Sequence, residues 1–240
     1  MAIVNAWNDQ DYRLRMGSLY AADEMVAAVV AALKASGQFD NTWIVFTSDN
    51  GYNLGAHRLI HKMAPYEESI RVPLVITGPG IPSALRGSVL NPMVLELDFA
   101  PTLAQLAGVE VPADVDGRSL LPWLQGATPA NWRTDFLLQY VTNGAANGIG
   151  TELPPWLFVA LGQEIPTYRA LRNQTHLLVE WYEDPRAGHQ YELYDLQKDP
   201  YQLHNLLSTA AGRQQQAQQV EAMTARMETL TTCQGAGCRP

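Results

Sequence analysis

Apolar residues in this chain follow two spacings, and the switches between them mark out the elements. In "YRLRMGSLYAADEMVAAVVAALKASG", Leu19, Ala22, Met25, Val26, Val29, Val30 and Leu33 recur at three- and four-residue steps, which predicts a long amphipathic helix. Gly37 stands where a helix C-cap is needed, because glycine reaches φ > 0 without a Cβ penalty. The run Trp43-Ile44-Val45-Phe46-Thr47 shows no alternation, which predicts a strand buried on both faces, as in a parallel sheet. "VPLVITGPG" predicts a second such strand. Pro73 has no N–H for a ladder, so it belongs at the first position or at an edge. "LELDFAPTLAQLAG" returns to helical spacing, with Gly108 as its cap. Pro101 fits only a first turn, so this helix begins near Phe99 or Ala100.

Helix, strand, long loop, strand, helix is an α/β order. Past residue 125 the character changes. "GATPANW" is turn-rich, and "YVTNGAANGIGTELPPWLFVALGQEIP" is irregular, with many Gly and Pro. "TYRALRNQTHLLVEW" and "HQYELYDL" predict two antiparallel strands joined through "YEDPRAGH". "STAAGRQQQAQQVEAMTARMETLTTC" predicts a polar terminal helix. The expected organisation is an α/β part over 1–125 and a small antiparallel sheet plus helix over 126–240. Only two parallel strands are legible, whereas sheets usually hold about four to six. Either further strands hide in weak sequence, or part of the sheet is missing.

Composition narrows the function classes. The chain has 240 residues, 47% of them hydrophobic and 17% charged, which fits a folded chain with a real core. A net charge of −8 without a long basic run argues against nucleic acid as a partner. An anion can bind only where local cations or a metal overcome that field. No unbroken apolar run approaches the length of about 18 residues that a membrane span needs, so none is expected. "MAIVNAWNDQDYRLRM" lacks the basic and apolar regions of a signal peptide. Cys233 and Cys238, in "CQGAGC", suit a small disulfide loop and hence an oxidising compartment; two free thiols on the tail are the alternative.

The candidate chemistry lies in "FTSDNGYNLGAHRLIHKMAPYEESIRVPLVITGPG", residues 46–80. Asp49 and Asn50 follow the first strand, where open α/β sheets bind ligands. Their side-chain oxygens are hard donors of the kind Ca²⁺ or Mg²⁺ prefers, and Gly51 lets the backbone turn beside them. "DNG" is also a common turn signal, and chemistry alone favours that turn. Lys62, with Arg58 assisting, can bind an anion as a point charge, or be a solvated loop lysine. His57 and His61 can act as acids, anion donors or metal ligands, roles that a lone histidine seldom has. Glu67 and Glu68 with Arg71 are spaced for a helical ion pair.

"TSDNGYNLGAHRLIHKMAPYEESIRVPLVITGPG" resembles the second signature region of the type I sulfatases, in the alkaline phosphatase superfamily. The resemblance runs in family order over nearly the whole chain. It takes in the helix and strand before the signature, a "D-x-x-P-T" at Asp98–Thr102 and a "D-G-x-S-L-x-P" at Asp116–Pro122. It continues through "YELYDLQKDPYQLHNL" and the "CQGAGCR" tail. It implies part of an alkaline-phosphatase-like α/β sandwich with a small C-terminal antiparallel sheet plus helix. It also implies metal-assisted hydrolysis of sulfate esters. Asp49 and Asn50 would be ligands of a Ca²⁺ or Mg²⁺ ion. Lys62 would contact the sulfate, and His57, in a "G-x-H", would serve substrate or catalysis. His61 receives no role. Asn50, where phosphodiesterase and phosphonate-hydrolase relatives usually carry histidine, favours the sulfatase branch over that alternative.

The family nucleophile is a formylglycine made from Cys or Ser in Cys/Ser-x-Pro-x-Arg, and this sequence has no such motif. Nor does it have the N-terminal aspartate pair that would complete the metal shell. The expectation is therefore a C-terminal half, inactive alone, whose partners are a sulfate ester and the missing N-terminal half that carries the formylglycine. A non-catalytic metal- or anion-binding module is the further alternative. The resemblance implies a periplasmic or secreted location.

Overall fold

The first helix extends well beyond its apolar stripe. α1 covers Ala2–Ala35 in the computed structural model, which describes residues 2–141, 165–182 and 189–238. Gly37 closes it at φ +70°, with Gln38 N–H donating to the Leu33 carbonyl at 2.9 Å and Gly37 N–H to the Lys34 carbonyl at 3.1 Å. Those paired bonds are a Schellman cap, and they satisfy carbonyls that a helix end leaves bare. Ala22, Val26, Val30 and Leu33 are half-buried, while Leu19, Met25 and Val29 face solvent. By length and composition alone, Asp9–Ala35 is long and apolar enough to cross a membrane, which a search for unbroken apolar runs misses because Asp23 and Glu24 interrupt the helix midway.

The two expected strands form where predicted but pair differently. β1 (Ile44–Thr47) and β4 (Leu74–Thr77) are antiparallel, with Ile44 opposite Thr77 and Thr47 opposite Leu74. The expected parallel pairing is therefore corrected. So is burial on both faces, since Val45, Phe46 and Val75 are exposed. An apolar run shows that a strand is hydrophobic, but not which way its neighbour points. Pro73 sits just before β4, and its carbonyl accepts the Thr47 hydroxyl at 2.9 Å. Between these strands lie β2 (Asn53–Leu54), β3 (Ile60–His61) and α2 (Glu67–Ile70), with β2 and β3 antiparallel.

The chain divides into two units, Met1–Lys62 with Glu67–Ser88, and Met63–Tyr66 with Val89–Pro240. The composition shift near residue 125 thus falls inside the second unit. That unit begins its regular structure with α3 (Phe99–Leu106), which starts where Pro101 requires. Gly108, at φ +71°, gives it the same Schellman cap as α1. A four-stranded antiparallel sheet follows in the order β5-β6-β7-β8: Asp135–Tyr140, Tyr168–Asn173, His176–Trp181 and Gln190–Asp195. "TYRALRNQTHLLVEW" is thus two strands, not one. Asn173 Oδ1 accepts the Thr175 and His176 N–H groups at 2.9 and 2.8 Å, folding the chain back within three residues. The expected link "YEDPRAGH" and the irregular stretch after Tyr140 lie largely outside the described residues.

Both faces of this sheet are covered within the unit. Leu171, Leu178 and Leu193 pack with Leu207 and with Met223 and Met227 of the terminal helix. That helix is broken at Gln216 into α4 (Ala210–Gln215) and α5 (Ala217–Thr232). On the opposite face Ala170, Leu177 and Val179 are fully buried. Residues Met63–Tyr66 strap that side: Tyr168 hydroxyl donates to the Met63 carbonyl at 3.0 Å, and Tyr66 hydroxyl to Glu192 at 2.9 Å.

The two family-like motifs are structural. Asp98, wholly buried, accepts two N–H groups of Arg133 at 2.7 and 2.8 Å and the backbone N–H groups of Leu95 and Arg118. A carboxylate that has given up water needs this many donors. Thr102 hydroxyl donates to the Asp98 carbonyl and accepts the Leu120 N–H, tying one motif to the other. Asp116 accepts the Gly235 N–H at 2.5 Å. Gly235 lies inside the loop closed by the Cys233–Cys238 disulfide, so the expected pairing of the two cysteines is present.

Candidate functional site

Residues 48–62 and 67–69 of the first unit build the candidate site on the carboxyl end of β1. Ser48 hydroxyl donates to the Asn50 carbonyl at 2.9 Å and rounds the chain past Asp49. Gly51 N–H then donates to the Ser69 carbonyl at 2.8 Å. Gly51 is required by close approach, and not by the positive φ that a sharp turn suggests: a Cβ there would lie 2.0 Å from the Glu68 carbonyl oxygen. The carbonyl end of α2 is thereby pressed against the loop that carries Asp49 and Asn50.

Lys62 returns to the same place. Its Nζ is 3.9 Å from Asp49 Oδ2, although the two residues are thirteen positions apart. The Asp49 side chain is 83% exposed, so its oxygens are available to a ligand. At that exposure the ion pair adds little to stability. The carboxylate and amide oxygens of Asp49 and Asn50 suit Ca²⁺ or Mg²⁺ in kind but not in number, since Ca²⁺ takes about six to eight oxygens. No cluster of three metal-binding side chains exists among the described residues. The pair thus fits one part of a metal shell.

His57 is turned elsewhere. Its Nε2 is 3.6 Å from Glu68 Oε2, and the ring is only 9% exposed. Arg58 is exposed beside it. His61 pairs its Nδ1 with the Tyr52 hydroxyl at 2.9 Å. Burial lowers the His61 pKa, partly countered by the Asp11 charge. The Tyr52 phenol is pushed up to about 12, first by burial and then by Asp11. Asn53, fully buried, donates to the Ser69 hydroxyl at 2.6 Å and to the His61 carbonyl at 3.2 Å. Tyr52 and Asn53 escaped the sequence reading, and Glu68 was assigned to a helical pair with Arg71 and not to His57, because contacts eight to sixteen residues apart follow no local period.

The backbone here is strained. His57, Arg58, His61 and Met63 have φ of 54°, 60°, 70° and 83°, four of the five non-glycine residues with positive φ among those described. Each costs about 1–2 kcal/mol for an L-residue, so the surrounding bonds must hold them.

The sulfatase family model matches residues 3–109. The N-acetylglucosamine-6-O-sulfatase of Bacteroides thetaiotaomicron is 34% identical over 208 residues, which is 85% of this chain and 34% of that protein. A solved structure in complex with its substrate, D-glucosamine-2-N,6-O-disulfate, is 32% identical with a TM-score of 0.71, covering 88% of this chain and 38% of that one. The phosphonate monoester hydrolase of Agrobacterium radiobacter is 29% identical with a TM-score of 0.64, covering 85% of this chain and 39% of that one. This chain therefore spans little more than a third of the proteins it matches. Taken with the helices and small antiparallel sheets described above, these matches make the chain a part of the alkaline-phosphatase-like α/β fold. The resemblance is to one part of a sulfatase.

Proposed function

We propose that Asp49, Asn50 and Lys62 form one wall of a sulfate-ester site, in a chain that needs a further polypeptide for turnover. The observation that carries this reading is the return of Lys62 to within 3.9 Å of Asp49 at the end of β1. Asp49 and Asn50 would hold a Ca²⁺ or Mg²⁺ ion, which when bound would polarise the sulfuryl oxygens. Lys62 would place a fixed cation where charge grows on those oxygens as the ester bond breaks. His57, nearly buried and 3.6 Å from Glu68, would have to turn out of this position to serve the substrate. The names of the relatives favour a sulfated amino sugar as the substrate class. Asn50 in place of a histidine weighs against the phosphonate chemistry of the more distant match, since an amide oxygen suits Ca²⁺ better than the softer ions. The nucleophile, a formylglycine in such enzymes, would come from the other polypeptide. The disulfide supports a secreted or periplasmic setting.

The 240-residue chain is expected to leave an aryl sulfate untouched and to bind Ca²⁺ weakly by calorimetry, with Asp49→Ala removing what binding there is. Turnover that Asp49→Ala abolishes would refute the dependence on a second polypeptide. Calcium binding indifferent to Asp49→Ala would refute the metal assignment.

A further inference from the structure

We propose that Tyr52 and His61 are positioning residues that set the Lys62 side chain against Asp49. The inference rests on the reading of Lys62 as a sulfate contact only for its consequence, not for its geometry. His61 is the last residue of β3 and lies opposite Asn53 in the ladder. Lys62 follows it, between two left-handed residues, His61 at φ 70° and Met63 at φ 83°. An unsupported chain would relax both, since neither is glycine.

His61 is gripped at both ends. Its Nδ1 and the Tyr52 hydroxyl share a hydrogen bond at 2.9 Å, with the rings edge-on at 5.5 Å and 74°. Its carbonyl takes the Asn53 amide at 3.2 Å. Tyr52 is itself fixed from α1, where the Arg15 guanidinium lies 4.0 Å from its ring centroid. Tyr52 stands two residues after Asn50, and His61 one residue before Lys62. This single contact therefore ties the flank of the oxygen-donor pair to the flank of the cation. With the ring of His61 held, its strained φ persists, and the next Cα–Cβ bond points where the structure has it.

The test uses the full chain and the side-chain methylene resonances of Lys62, assigned by NMR without any ligand. Tyr52→Phe, which removes one oxygen, and His61→Leu are expected to move those resonances to values of a free lysine. The signals of Leu74–Thr77 should stay in place. His61→Gln keeps a hydrogen-bonding group and should restore part of the shift. Lys62 resonances unchanged by Tyr52→Phe would overturn the proposal, as would a loss spread evenly over the whole unit. Should His61→Leu fail to fold, Tyr52→Phe alone decides. A titration with inorganic sulfate then separates the two readings. If Lys62 contacts sulfate, His61→Leu should weaken binding roughly threefold to tenfold, and not at all in a Lys62→Met background. Sulfate binding indifferent to Lys62→Met would sink the function proposed for the wall, while the Lys62 resonances would still decide its positioning.

Discussion

The two units bury their groups to opposite ends. In the second, the sheet is covered on both faces, its carboxylates are wrapped by donors, and Met227 has no exposed surface. In the first, a two-stranded sheet and a long helix show valines, leucines and a phenylalanine to solvent, and the backbone is strained at His57, Arg58 and His61. The second unit spends its polar residues on holding itself together. The first leaves Asp49 and Lys62 in the open and places its hydrogen bonds behind them, which is how an array meant to meet something else is built.

Four measurements press on that contrast. The largest effect is expected where a charge is stranded. Asp98→Ala leaves the buried Arg133 guanidinium without its carboxylate and should cost about 3–5 kcal/mol in a urea melt, whereas Asp49→Ala, at an exposed site, should cost under about 0.5. Equal losses would erase the distinction between the units. Next comes packing. Met227→Ala should cost about 2–5 kcal/mol against well under 1 for Met25→Ala, since only Met227 leaves a cavity.

Acid should loosen the second unit through Glu180. Burial alone would raise its pKa, but Arg169, then Tyr191 and His189, donate to it and hold it at about 2, below the ordinary 4.5. Its folded pKa is depressed, so its contribution is complete above about 4.5 and is lost as pH falls toward about 2. Glu180→Gln should flatten the dependence of the urea midpoint across that window, and an unchanged slope would remove Glu180 from the account. The smallest change in stability, within about 0.5 kcal/mol, is expected for Val29→Ser on the exposed side of α1. The same substitution should reduce binding of a hydrophobic dye, since Leu19, Met25 and Val29 are all exposed on that helix.

Much of this fold is readable from spacing. α1, α3, their glycine caps and the strands around Val45 and Val75 lie where period and punctuation put them. The parallel sheet did not appear, because strand direction is decided by the partner and not by the strand's own residues. The turn at Asn173 escaped notice for a different reason: the reversal in "TYRALRNQTHLLVEW" takes only three residues, Asn173–Thr175, and contains neither Gly nor Pro. In the site, Asp49, Asn50 and Lys62 drew attention through their likeness to a family signature, and the structure brings Asp49 and Lys62 together. The partners of His57 and His61 were illegible. Glu68 had been accounted for by its helix, and Tyr52 looked like any loop tyrosine.

The strap Met63–Tyr66 has a consequence for how this polypeptide can be divided. It belongs to the second unit, yet the first unit precedes it and resumes after it. No single cut separates the two. Excising residues 1–88 as a module would carry off the strap and strip Tyr168 and Glu192 of their bonds to Met63 and Tyr66. The first unit therefore cannot be deleted, swapped or inherited alone without taking four residues of the second unit with it.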